Sequence, residues 1–312
     1  MLKTTRFEVE ATPQDVTDYT SVPAAMLDTT SALDAVLNNP QAPVHKIQKG
    51  KSKKPFFFLH GDWNGGPFYC VTLARTMGRE QPFYALDPYK FSGPYLPLSF
   101  SQMAAVYVKA VRTIQPEGPY QLGGFCNGAL VVHEMARQLQ EQGQQVSLLL
   151  LITPAHVRRT TRLAHYIIHR GGALLHVNER KQLHTYLRLR HAVLHLYRSV
   201  RAPEGPFKKD FLKMMNNEPR LKKMFPPVEA LYNDYSGMYT WLVGTYSQVF
   251  NHDSIKFIWS SEESGHRGLW NAFEHDPQMT PIIPGPHMAC ITDQLDMLAS
   301  LMKEYVQEAH EK

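Results

Sequence analysis

Apolar residues fall along this chain in short runs separated by stretches of helical period. Phe56-Phe57-Phe58-Leu59, with Pro55 before and His60-Gly61 after, reads as a buried strand. Phe83-Tyr84-Ala85-Leu86, closed by Asp87-Pro88, reads as another, as do residues 120–125 and 146–152. Between them, residues 68–77, 99–114 and 128–142 suit helices. Met103, Val106, Tyr107, Ala110, Val111 and Ile114 mark one helical face, and Leu130, Val131, Met135, Ala136 and Leu139 another. Ser99 is placed to cap the first of these two. Strand and helix alternating at this spacing predict an α/β fold, a mostly parallel central sheet with helices on both faces. The rhythm stops over residues 157 to about 245, which read as amphipathic helices broken at Gly171-Gly172, Ala202-Pro203 and Pro226-Pro227. It resumes with a strand at 255–259, a further strand within 279–283 and a last helix over 291–307. A helical insertion between two halves of such a sheet is most simply a lid. Residues 1–45 show little periodicity beyond a short helix near 31–37. They read as a peripheral segment or linker, which sets the domain at 46–312.

Composition agrees with one soluble α/β unit. Of 312 residues, 43% are hydrophobic and 20% charged, which excludes disorder or a fibre for the bulk of the chain. The longest aliphatic run, Leu148 to Ile152, is five residues, and a membrane span needs about 20. The start lacks a signal-type apolar core, so a cytoplasmic location is expected. Cys70, Cys126 and Cys290 cannot form a disulfide framework, and without a C-x-x-C pair a metal site is not expected. Charge is uneven. Residues 158–223 hold 16 Lys and Arg against four acids, a net +12, while the chain as a whole carries +5. A basic stripe can meet nucleic acid, an anionic membrane or an acidic protein, or can simply be solvated helix face.

The chemistry concentrates at Gly123-Gly124-Phe125-Cys126-Asn127-Gly128, a G-x-C-x-G sequence between a predicted strand and a predicted helix. This is the nucleophile-elbow pattern, with Cys where Ser is more usual. Gly124 and Gly128 let the sharp turn pack against neighbouring backbone, and the helix N-terminus favours a thiolate. The loop after the first sheet strand, His60-Gly61-Asp62-Trp63, is the expected source of one oxyanion-hole N–H, from Asp62 or Trp63. Asn127 supplies the other. His287, in Pro284-Gly285-Pro286-His287-Met288 ahead of the last helix, stands where an elbow enzyme keeps its general base. His60 suits a structural role in its turn. Cys70 and Cys290 suit packing, and His133-Glu134 lacks the second His of a zinc-protease helix. G-x-x-x-x-G-K-[ST] and G-x-G-x-x-G are both absent, which argues against nucleotide chemistry.

From Lys46 onward the chain resembles the type I thioesterase domains of nonribosomal peptide and polyketide synthases. The pieces that carry the resemblance are Phe56 to Gly61, Pro116-Glu117-Gly118-Pro119-Tyr120, Gly124 to Gly128, Trp259-Ser260-Ser261-Glu262-Glu263, Trp270, and Ile282 to His287. The resemblance implies an α/β-hydrolase fold with a helical lid, and release of an acyl or peptidyl chain from a phosphopantetheine thioester through an acyl-enzyme on Cys126. No cofactor is implied beyond the carrier's phosphopantetheine arm. The partner implied is an acyl or peptidyl carrier protein, typically acidic, docking on the basic lid, rather than nucleic acid or membrane. One departure stands out. Thr153 occupies the position of the family's usual triad acid and carries no charge to stabilise imidazolium. Glu262 and Glu263 lie at the other location the wider fold uses. A Cys–His pair without an acid is the third possibility, because a thiol depends less on one. A thioester acyl-enzyme stays activated toward amines, so hydrolysis, cyclisation and transfer to an amine are all open. The competing expectations are a catalytically silent acyl-binding or docking module on the same fold, which the Thr153 substitution favours, and a general esterase.

Overall fold

The computed structural model describes residues 44–50, 54–61, 67–91, 96–155, 159–201, 226–244, 246, 254–263, 270, 273–274 and 278–311. Among the described residues seven strands form the sheet: β1 (Val44–Gln48), β2 (Phe56–Leu59), β3 (Phe83–Leu86), β4 (Tyr120–Phe125), β5 (Val146–Ile152), β6 (Ile255–Ser260) and β7 (Ile282–Ile283). Their order is β1-β3-β2-β4-β5-β6-β7. Among these strands β1 runs antiparallel, against β3, and the other described pairs are parallel.

Parallel strands buried on both faces explain the unbroken apolar runs. Phe56, Phe57 and Phe58 are all fully buried, yet they serve two different cores. Phe57 and Leu59 join Leu122, Leu149 and Leu151 on one face. There they meet α2 (Phe100–Ile114) and α3 (Asn127–Glu141). Phe56 and Phe58 join Leu148, Leu150 and Ile152 on the other, against α1 (Phe68–Thr76) and α8 (Leu295–Glu311). Each large side chain so buried contributes roughly 1.5–3 kcal/mol. Ser99 caps α2 as expected. Its Oγ accepts the Gln102 N–H at 3.1 Å, and Gln102 Oε1 accepts the Leu98 N–H at 2.8 Å.

Between β5 and β6 lies the expected helical insertion: α4 (Arg159–Leu174), α5 (Glu179–Arg201), the short α6 (Val228–Leu231) and α7 (Tyr235–Gly244). No helix among the described residues is long and apolar enough to cross a membrane.

The structure differs from the sequence-based expectation in four places. α4 runs through Gly171-Gly172, where a break is expected, and ends at Leu174. The boundary drawn between 45 and 46 falls inside β1, whose half-exposed residues offer only Val44 and Ile47 as apolar signals. The strand expected within 279–283 is the two-residue β7. The last helix starts at Leu295, because residues 287–291 form a separate 3₁₀ turn that ends at Thr292 (φ −123°, ψ −96°). The short helix expected near 31–37 lies outside the described residues.

Candidate active site

Parallel strands place their carboxyl ends on one edge, where open α/β sheets gather their ligands. The turns after β2, β4, β5, β6 and β7 carry His60-Gly61, Cys126, Thr153, Glu262-Glu263 and His287 respectively.

Cys126 sits between β4 and α3 with φ 55° and ψ −118°, a conformation rarely adopted by a residue with a side chain. The surroundings hold it there. Its N–H donates to the Ile152 carbonyl at 3.0 Å, and its own carbonyl accepts from Ala129 and Ala155 at 3.2 and 3.1 Å. The flanking glycines are required by contact. A Cβ on Gly124 would come 2.5 Å from the backbone of Gly128, and one on Gly128 would come 2.3 Å from the Leu59 carbonyl oxygen. Cys126 is thereby half-buried at the start of a 15-residue helix, with the Asn127 N–H in its first turn.

His287 opens the 3₁₀ turn after β7, its ring packed on Phe125 with centroids 4.7 Å apart. Its ring interacts electrostatically with Cys126. Its Nδ1 lies 3.0 Å from Glu263 Oε2, at ion-pair distance, although the ring N–H is poorly aligned for a hydrogen bond. Both side chains are about one-fifth exposed, His287 at 21% and Glu263 at 23%. Burial by itself would lower the imidazole pKa. Cys126 and Glu263 outweigh it and push the value up to about 10. Backbone contacts bring the two turns together. Ser261 N–H donates to the Ile283 carbonyl at 2.9 Å, and Gly285 N–H donates to Ser261 Oγ at 2.9 Å.

The other predicted residues are placed as follows. Glu262 is exposed. Thr153 is fully buried with φ 37°, its N–H donating to the Ile258 carbonyl at 2.7 Å. Its hydroxyl makes no hydrogen bond among the described residues, to His287 included. Asp62 and Trp63 lie outside the described residues. His60 is buried, with Nε2 3.3 Å from Asp87 Oδ1, and His45 Nε2 is 2.7 Å from Asp87 Oδ2. Burial would raise the Asp87 pKa, but these two imidazoles hold it below its usual value. Burial pushes the thiol of Cys290 up to about 11 and that of Cys70 higher still.

A cavity of about 650 Å³ opens beside the elbow, between the start of α3 and helices α4, α5 and α7. Its apolar lining includes Leu130, Ala164, Ile168, Val193 and Val243. Sequence reasoning did not single out Tyr239. From α7, its hydroxyl donates to the Asn127 carbonyl at 2.8 Å and ties the insertion to the elbow. No motif marks such a contact, since it joins residues 112 apart.

The thioesterase-domain family model matches residues 69–168. Polyketide synthase PksR of Bacillus subtilis is 35% identical over 124 residues, covering 38% of this chain and 5% of that protein. A dimodular nonribosomal peptide synthase of the same organism is 38% identical over 124 residues, covering 39% and 5%. The matched segment thus spans about 5% of the length of these relatives. Among solved structures, the NocB thioesterase domain from the nocardicin cluster superposes with a TM-score of 0.51 at 20% identity, covering 85% of this chain and 98% of that one. Residues 69–168, which hold the strand, the elbow and its helix, thus resemble a thioesterase domain in sequence, and the chain shares the α/β-hydrolase fold of the NocB domain.

Proposed function

We propose that this protein releases an acyl or peptidyl chain from a phosphopantetheine thioester through a thioester acyl-enzyme on Cys126. The observation that carries the reading is the contact of His287 with both the strained Cys126 and Glu263. With Nδ1 turned to Glu263, Nε2 is left for the sulfur. The Cys126 proton rests on His287 as imidazolium while the sulfur adds to the substrate carbonyl. The Asn127 N–H, with a second donor from Asp62 or Trp63, receives the charge that develops on oxygen. The carbon–sulfur bond to pantetheine then breaks, and the imidazolium returns its proton to the departing thiol. In the second half, water, an amine or a nucleophile within the chain attacks, and His287, now neutral, takes its proton and so restores the imidazolium beside the Cys126 sulfur as that sulfur is released. Glu263 acts as the acid that orients and balances the imidazolium, a role Thr153 cannot fill with an uncharged, unpaired hydroxyl.

The cavity beside Asn127 suits the acyl chain, its volume being within the range of small-molecule sites. The basic insertion suits an acidic carrier protein. Within residues 159–201 there are nine Lys and Arg and one acid, Glu179.

The deciding experiment is intact-mass detection of an acyl adduct after mixing the protein with an acyl-pantetheine thioester, with peptide mapping to Cys126. The adduct is expected in the unmodified protein and absent from Cys126→Ala. It should also form at least tenfold more slowly in His287→Ala, general acid–base catalysis contributing on the order of 10²–10⁴-fold. An adduct on Cys70 or Cys290, or unimpaired turnover without the Cys126 sulfur, defeats the reading. Adding amines in the same assay separates transfer from hydrolysis.

A further inference from the structure

The cavity has a polar strip between α5 and α7, and that strip is a built arrangement. Asp234 Oδ1 accepts the Gly237 N–H at 3.0 Å and so caps α7. Its Oδ2 takes Nη1 of Arg190, whose Nη2 donates to Ser236 Oγ at 3.1 Å. Gly237 leaves room for the pair. A Cβ there would stand 2.6 Å from Asp234 Oδ2 and 3.1 Å from Arg190 Nη1. Arg190, Ser236, Thr240 and Tyr186 all line the cavity. Thr240 Oγ1 donates to the Ser236 carbonyl.

Two properties of this strip select a ligand. Ser236 Oγ already accepts from Arg190, so its own proton is what it can offer a bound chain. Arg190 and Asp234 together carry no net charge, so the strip donates hydrogen bonds without attracting an anion. A bare alkyl chain would cover these groups and leave Ser236 unsatisfied. A carboxylate would lose its water and find the lining Arg190 already paired with Asp234. We infer that the cavity selects acyl chains bearing an uncharged oxygen acceptor, a ketone or hydroxyl, hydrogen-bonded by Ser236 and Arg190. The inference rests on the reading that the cavity holds the acyl chain.

Binding to the full-length Cys126→Ala protein tests this without requiring acylation. The probes are N-acetylcysteamine thioesters of equal chain length: a plain alkanoyl chain, one with a ketone in its distal half, and one ending in a carboxylate. Calorimetry should show the keto chain bound about tenfold more tightly than the plain one, the scale of one charge-assisted hydrogen bond. The carboxylate chain should bind no better than the plain chain. Arg190→Gln and Ser236→Ala, each added to Cys126→Ala, should bring the keto-to-plain ratio toward one. Ser236→Ala leaves the Arg190–Asp234 pair in place, so the test survives if Arg190→Gln fails to fold. Equal binding of keto and plain chains, tightest binding of the carboxylate, no binding of any chain, or a ratio unmoved by Ser236→Ala overturns the inference. If the preference is found but no adduct ever forms on Cys126, the catalytic reading falls and the binding inference stands.

Discussion

His287 is buried enough that its charge should be disfavoured, yet its partners keep it protonated to about pH 10. The consequence for stability has a definite sign. The folded value lies above the ordinary 6.5, so the folded state binds the proton more tightly. The stabilisation is fully present below pH 6.5 and is lost as pH rises through about 10. Glu263→Gln removes one of the two partners that raise the value. Urea unfolding should therefore find Glu263→Gln less stable at about pH 6, with the gap from the parent protein closing toward about pH 10. The same substitution should draw the alkaline fall of the acylation rate to lower pH. A stability gap constant across that window, with an unmoved rate profile, would remove Glu263 from the site. The residue scale is also where the sequence left a choice. Glu262 and Glu263 are neighbours with the same side chain, and nothing local distinguishes them. Their separation into an exposed acid and one against His287 comes from the turn after β6, which Ser261 and Gly285 lock to the loop after β7.

At the scale of elements, the strand–turn–helix around Cys126 was readable because each residue in it answers to its immediate neighbours. Two substitutions separate the tight turn from ordinary capping. Ser99→Ala removes an N-cap and should lower stability by about 1 kcal/mol. Gly124→Ala places a Cβ 2.5 Å from backbone that cannot move without opening the elbow. It should lower stability by about 3 kcal/mol or more, or prevent folding. Denaturant midpoints of the two variants provide the comparison, and a Gly124→Ala protein as stable as its parent would contradict the packing described. The elements that the sequence blurred are those whose pattern is weak. β1 is a half-exposed edge strand held by pairing with β3, and the turn at 287–291 is too short to have a period.

At the scale of the whole molecule, the insertion combines a cavity on its inner side with strong positive charge on its exposed residues. Arg162, Arg170, Arg180 and Arg188 are all exposed. Reversing these four to Glu should slow association with an acidic carrier protein at least tenfold at low salt, with the difference shrinking as salt is added. Stopped-flow association measured at two ionic strengths gives the answer, and a rate indifferent to both charge and salt would assign the basic residues to solvation alone. Tyr239 and the Arg190–Asp234 pair belong to this scale too. They link the insertion to the elbow and shape the cavity across separations of 112 and 44 residues.

The sequence by itself determined the alternating layers, the elbow with Cys126, the cap at Ser99 and the helical character of the insertion. Each of these depends on periodicity or on contacts within a few residues, and both are written along the chain. Only the tertiary structure decided which acid faces His287, that the Thr153 hydroxyl is buried without a hydrogen-bond partner among the described residues, and that Arg190 and Ser236 line the cavity. These follow from how loops at the ends of separate strands and helices meet in space. Such meetings are fixed by packing over the whole molecule and leave no period or motif behind.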